Sequence, residues 1–121
     1  MILVVDDKAR DTDSPSWNDV EAAIRGMNGA NRSEVGLFVS DDCFMQIGGG
    51  GGSYVCSVRL QGKLHVLTDP SRSSTCMRWV VAGQGSDYPD NECFPVDVIV
   101  AAAEWFWHHA TPSPSFEWKR F

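Results

Sequence analysis

A chain of 121 residues that is 43% hydrophobic, with five tryptophans and six phenylalanines, carries core material for one folded domain spanning 1–121 and is too apolar for intrinsic disorder. Sixteen acidic against ten basic side chains give a net charge of −6, which offers no basic face for direct nucleic-acid binding and suits solubility or a basic partner. No run approaches the roughly 18 apolar residues of a membrane helix and the first apolar run is too short for a signal-peptide core, so the expected location is cytoplasmic, with the four cysteines reduced.

In chain order, Ile2 to Val5 reads as a short strand, followed by a charged link from Asp6 to Asp13. Ser14-Pro15-Ser16-Trp17 opens a helix, with Pro suited to the first helical position and Ser14 or Ser16 as cap. Trp17, Val20, Ile24 and Met27 form its apolar stripe, and Gly26, Asn28 and Gly29 stop it. Strands are predicted at Val35–Ser40, Cys43–Ile47, Ser53–Leu60, Lys63–Thr68 and Thr75–Ala82, because β-branched and aromatic runs are bounded there by turn formers. Short turns between consecutive strands favour an antiparallel meander. Within Ser53–Leu60, Tyr54, Cys56, Val58 and Leu60 share one face against Ser53, Val55, Ser57 and Arg59. Gly83–Cys93 reads as a polar loop. Pro95 to His109 reads as a second helix whose apolar face, Val96, Ile99, Val100, Ala103, Phe106 and Trp107, covers the sheet. The alternating tail Phe116–Phe121 adds a last strand. The fold class expected is α+β, an antiparallel sheet of about five to seven strands with two helices, one of them packed on a sheet face.

Little in the sequence carries reactive chemistry. The glycines Gly48–Gly52 lack the Lys-Ser/Thr of a phosphate loop and precede no helix, so they read as a flexible or bulged link between strands. Cys43, Cys56, Cys76 and Cys93 contain no C-x-x-C spacing, His65 alternates with apolar neighbours, and the adjacent His108 and His109 point about 100° apart on a helix. No metal, cofactor or catalytic group is expected, and the chain lacks the H-x-E and P-C-x-x-C of a zinc deaminase. Acidic pairs remain. Asp41 and Asp42 form one turn, and the Gly83–Cys93 loop holds Asp87, Tyr88, Asp90 and Glu92; these six are the candidate partner-binding residues, carboxylates on a rim with an aromatic anchor. The competing reading is a small enzyme or ligand-binding domain that uses the sheet face and the Gly48–Gly52 loop.

The run S-P-S-W-x-D-V-E-A-A-I from Ser14 to Ile24, the run M-Q-I-G-G-G-G-G-S-Y-V-C-S-V from Met45 to Val58, and a helix leading to an aromatic tail together resemble the deaminase-associated immunity proteins of bacterial polymorphic toxin systems. The resemblance implies a cytoplasmic antitoxin that binds a cognate secreted toxin domain, a basic nucleic-acid cytidine deaminase, and covers its active site. It carries over no catalytic residues and implies no cofactor.

Overall fold

The computed structural model describes residues 1–6 and 11–121, and part of the link expected at Asp6–Asp13 lies outside the described residues. Strand β1 (Ile2–Val5) pairs with β2 (Thr12–Asp13) on one side and with β3 (Glu34–Ser40) on the other. Beyond it the carboxylate of Asp6 accepts the backbone N–H of Ser33 at 3.1 Å and of Glu34 at 2.7 Å, which ties the end of β1 to the start of β3.

Helix α1 (Trp17–Arg25) begins at a capping box. The Ser16 hydroxyl accepts the Asp19 N–H at 3.1 Å, and the Asp19 carboxylate accepts the Ser16 N–H at 3.0 Å. Pro15 therefore stands just outside the cap and not at the first helical position. Its carbonyl accepts the indole N–H of Trp107 at 3.1 Å, which docks α1 against α2 (Val96–His109). Arg25 reinforces the contact by pairing with both Glu21 at 3.0 Å and Asp97 at 3.3 Å.

Strands β4 (Cys43–Gly50), β5 (Ser53–Leu60), β6 (Lys63–Thr68) and β9 (Glu117–Arg120) complete a seven-stranded antiparallel sheet in the order β2-β1-β3-β4-β5-β6-β9. The stretch β3 to β6 is the expected meander, and the tail does supply the last strand. Facing residues in the register put Leu3, Leu37, Met45 and Val58 on one side. There they meet Val20 and Ile24 of α1 and Ile99, Ala103 and Phe106 of α2, all buried in one core. The opposite side carries Ile2, Phe38, Phe44, Val55 and Val66, and among the described residues neither α1 nor α2 packs on it.

Two expectations are corrected on that uncovered side. The strand predicted at Thr75–Ala82 begins at Met77 and does not join the main sheet, and the polar loop Gly83–Cys93 is mostly ordered backbone. Strand β7 (Met77–Ala82) pairs with β8 (Gln84–Pro89) as a separate two-stranded sheet, followed by a 3-10 turn at Asp90–Glu92. The glycine run is likewise more strand than link. Gly48, Gly49 and Gly50 pair with Val55, Tyr54 and Ser53, which leaves Gly51 and Gly52 as the turn. Close approach explains two of them. A Cβ on Gly48 would overlap the methyl of Ala82 where β7 crosses β4, and one on Gly50 (φ 131°) would run into the backbone of Asn28 and Gly29.

Candidate functional site

The β7–β8 hairpin lies over one end of the uncovered sheet face, and three anchors hold it there. The N–H of Gly83 donates to the buried hydroxyl of Ser33 at 3.0 Å. Ala82 sits on Gly48 with no room for another carbon. Asp90 binds Arg78 at 2.6 Å and lies 4.0 Å from Arg72, whose guanidinium stacks 4.8 Å from the centre of the Phe94 ring and donates to the Cys93 carbonyl. Asp90 is thus neutralised within the fold.

Between the hairpin and the sheet is a cavity of about 250 Å³. Val55, Leu64 and Val66 give it an apolar floor, while Glu34 and Glu92 supply carboxylates and Tyr88 a phenol. Neither glutamate lies within ion-pair distance of a cationic side chain among the described residues. Burial, with the negative charges of Cys93, Glu92 and Glu34 added, raises the pKa of Tyr88 above the ordinary phenol value, so it stays a hydroxyl.

The outer face of the hairpin is different in kind. Alternation turns Val80, Ala82 and Tyr88 toward the sheet and Met77, Trp79 and Asp87 away from it. Trp79 is 67% exposed and Met77 52%, with Asp87 directly across from Trp79 in the register. The indole lies along the backbone of Gly85, where a Cβ would strike the ring, so the tryptophan is held flat by its neighbour strand while its other face meets solvent.

The six residues expected from the sequence therefore divide. Tyr88 and Glu92 enter the cavity, Asp87 flanks Trp79, and Asp90 is consumed by the two arginines. Asp41 and Asp42 are exposed in the β3–β4 turn, at the end of the sheet opposite the Gly51–Gly52 turn. Next to the Asp41–Asp42 turn, on the side away from the helices, the rings of Phe38 and Phe44 stack at 4.9 Å with Arg59 over Phe44. Acidic groups stand at both ends of a half-exposed apolar surface. Sequence reasoning missed Glu34, Met77 and Trp79. The alternation of Met77, Trp79 and Val81 against Arg78, Val80 and Ala82 was the available signal, but the strand reads as part of the main sheet unless β8 is recognised as its partner.

Three of the four thiols are held in the protonated form by burial. Burial pushes the Cys56 thiol up to about 12 and also raises Cys93 and Cys43, against the low values that make a thiol nucleophilic. Among the described residues no group of three or more His, Cys, Asp and Glu side chains is arranged to hold a metal ion. His109 stacks on Trp105 at 3.9 Å and His108 meets Trp107 edge-on at 4.8 Å, closing the end of α2. Among the described residues no helix is long and apolar enough to cross a membrane.

The sequence model of the family described as Immunity protein Imm1 matches residues 8–120, and the chain belongs to that family. No curated protein matches it significantly.

Proposed function

We propose that this member of an immunity protein family acts in the cytoplasm as a single domain, binds a cognate secreted toxin of a polymorphic toxin system, and blocks the toxin's active site without any reaction of its own. The family implies a toxin partner. The observation that supports this contact surface is the outward-facing Trp79 and Met77 beside Asp87. Large apolar side chains held rigidly at a polar-rimmed surface are the usual energetic centre of a protein interface, with tryptophan prominent among them. Trp79 and its neighbour Met77 lie outside the buried core and offer apolar area that a partner can cover.

The partner in this reading is a nucleic-acid cytidine deaminase. Such an enzyme needs a basic groove for phosphates and a pocket for a flipped base. A blocker of net charge −6 complements that groove. Asp41, Asp42 and Asp87 steer the encounter, whereas Trp79 and Met77 hold the complex once formed. The cavity under the hairpin favours a side chain over a cofactor, since at about 250 Å³ it lies below the roughly 300–1,000 Å³ of small-molecule sites.

The test is co-purification with the toxin encoded beside this gene, followed by cytosine deamination of single-stranded DNA and RNA with and without the immunity protein. Trp79→Ala is expected to weaken the complex by about 2 kcal/mol or more, roughly thirty-fold, through faster dissociation. Asp87→Lys combined with Asp41→Lys is expected to slow association and flatten its salt dependence. A toxin bound equally well by all three proteins would refute this contact surface, and a partner without deaminase activity would refute the toxin class.

A further inference from the structure

We infer that the cavity between the β7–β8 hairpin and the sheet is a socket for one arginine side chain of the bound toxin. The inference rests on the immunity reading and specifies what one part of its surface takes. Three features of the cavity argue for this occupant. Its floor, Val55, Leu64 and Val66, is apolar and faces a methylene stem. Its polar groups are mostly acceptors. Glu34 comes from the start of β3 and Glu92 from the 3-10 turn, so the two carboxylates approach from the sheet and from the hairpin side. The amide oxygen of Gln46 and the hydroxyls of Ser57 and Tyr88 add further acceptors.

The third feature is the lack of internal charge compensation. Elsewhere on this side of the molecule carboxylates find guanidiniums: Asp69 meets Arg72 at 3.4 Å and Asp90 meets Arg78 at 2.6 Å. Glu34 and Glu92 meet none among the described residues, although both line the same recess. Glu34 rests its carboxylate against the backbone of Gly83, and Gly83 itself is hydrogen-bonded to Ser33, so this wall of the socket is fixed before anything enters. A planar head with five N–H donors satisfies such a set of acceptors better than an ammonium with three, and arginine is the more weakly hydrated cation. Tyr88 remains a hydroxyl across the working pH range and so contributes an acceptor without a competing charge.

The experiment has two arms. In the first, the isotopically labelled chain is titrated with the N-acetyl, C-methylamide derivatives of arginine, citrulline and lysine while amide resonances are followed. Arginine is expected to shift Gln46, Ser57, Ala82 and Tyr88 with millimolar affinity. Citrulline, which keeps the shape without the charge, is expected to leave them unmoved, and Glu34→Gln/Glu92→Gln is expected to abolish the shifts at unchanged thermal stability. Lysine shifting the same resonances as strongly as arginine would overturn the arginine assignment, and citrulline doing so would overturn the charge argument. In the second arm, dissociation from the toxin of the neighbouring gene is measured. Glu92→Gln alone is expected to speed it at least five-fold and the double variant at least ten-fold. A toxin that binds wild type and double variant alike would overturn the socket but leave the immunity reading intact. A protein that binds the arginine derivative but no toxin would overturn the immunity reading instead.

Discussion

The position of the hairpin depends on a missing carbon, and Gly48→Ala tests this directly. Gly48 is buried in β4 with ordinary strand backbone, so alanine meets no conformational penalty there. The difficulty is steric. The added Cβ would overlap the methyl of Ala82 and stand 3.1 Å from the Ala82 Cα and 3.4 Å from Val55 Cγ2, where carbon atoms prefer about 3.5–4.0 Å. Both near atoms of Ala82 are backbone-fixed, so β7 must move as a unit. Overpacking of this kind costs about 1–3 kcal/mol. Restricting the unfolded chain offsets about 0.4–1 kcal/mol of that. The expected net loss is about 1–2 kcal/mol, read as a lower urea midpoint with unchanged slope and a Tm lower by about 4–8 °C. Ala82→Gly alone should cost about 0.5–1 kcal/mol as a strand glycine. Combined, the two changes move the methyl from one strand to the other, and most of the Gly48→Ala loss should return, a favourable coupling of about 1 kcal/mol or more. A neutral Gly48→Ala, or a double variant whose loss equals the sum of the singles, would refute the idea that this contact seats the hairpin.

Ser33→Ala removes the acceptor of the Gly83 N–H at a part-buried contact, and a loss of about 0.5–1.5 kcal/mol is expected, with faster hydrogen exchange confined to β7 and β8; uniform loss of protection across all strands would contradict it. Ser16→Ala dismantles the capping box and should lower stability by about 0.5–2 kcal/mol, whereas Ser14→Ala, outside the cap, should be neutral in the same denaturant titration. Cys56 gives a pH dependence. Its thiol is held up to about 12 from an ordinary 9.0, so the folded state keeps a proton that the unfolded chain gives up. That contribution is complete below pH 9 and is lost as pH rises from about 9 toward 12, at up to about 1.4 kcal/mol per pH unit. Cys56→Ala should flatten the alkaline limb of the stability profile between pH 9 and 11, and identical limbs in the two proteins would contradict the assignment.

What the sequence made legible follows the range of the interactions. Helix α1 is announced within a dozen residues by Ser16, Asp19 and the Trp17, Val20, Ile24 stripe, all of which act locally, and the meander from β3 to β6 is marked by its turns. Strand β8 is not marked. Gln84-Gly85-Ser86-Asp87-Tyr88-Pro89 has one aromatic and no β-branched residue, and it is extended because Ser33, Gly48 and the Arg72–Asp90–Arg78 cluster hold its neighbours. Without β8, Trp79 has no assignable outer face and reads as core bulk. Tyr88 and Glu92 were singled out for their residue types, yet their place at the cavity depends on contacts more than twenty residues distant in the chain. Asp90 shows the same limit from the other side, since its charge is visible in sequence while the arginines that cancel it are brought near only by the fold.

An isolated two-stranded sheet is at best marginally stable in water, so a binding surface placed on one would ordinarily lose affinity to the cost of ordering it. Here that cost is met on folding. The anchors at Ser33, Gly48 and Asp90, and the Arg78 hydrogen bond to the Ser53 hydroxyl, lie on the inner side of the hairpin or at its ends, and none of them uses the side chain of Met77, Trp79 or Asp87. The residues that fix the hairpin and those available to a partner are therefore separate sets, divided by strand alternation. This separation predicts that outer-face variants change affinity at constant stability, while anchor variants change both together. It also accounts for Gly48, which lets β7 sit directly on β4 without an intervening side chain and so supports the strand that presents the tryptophan.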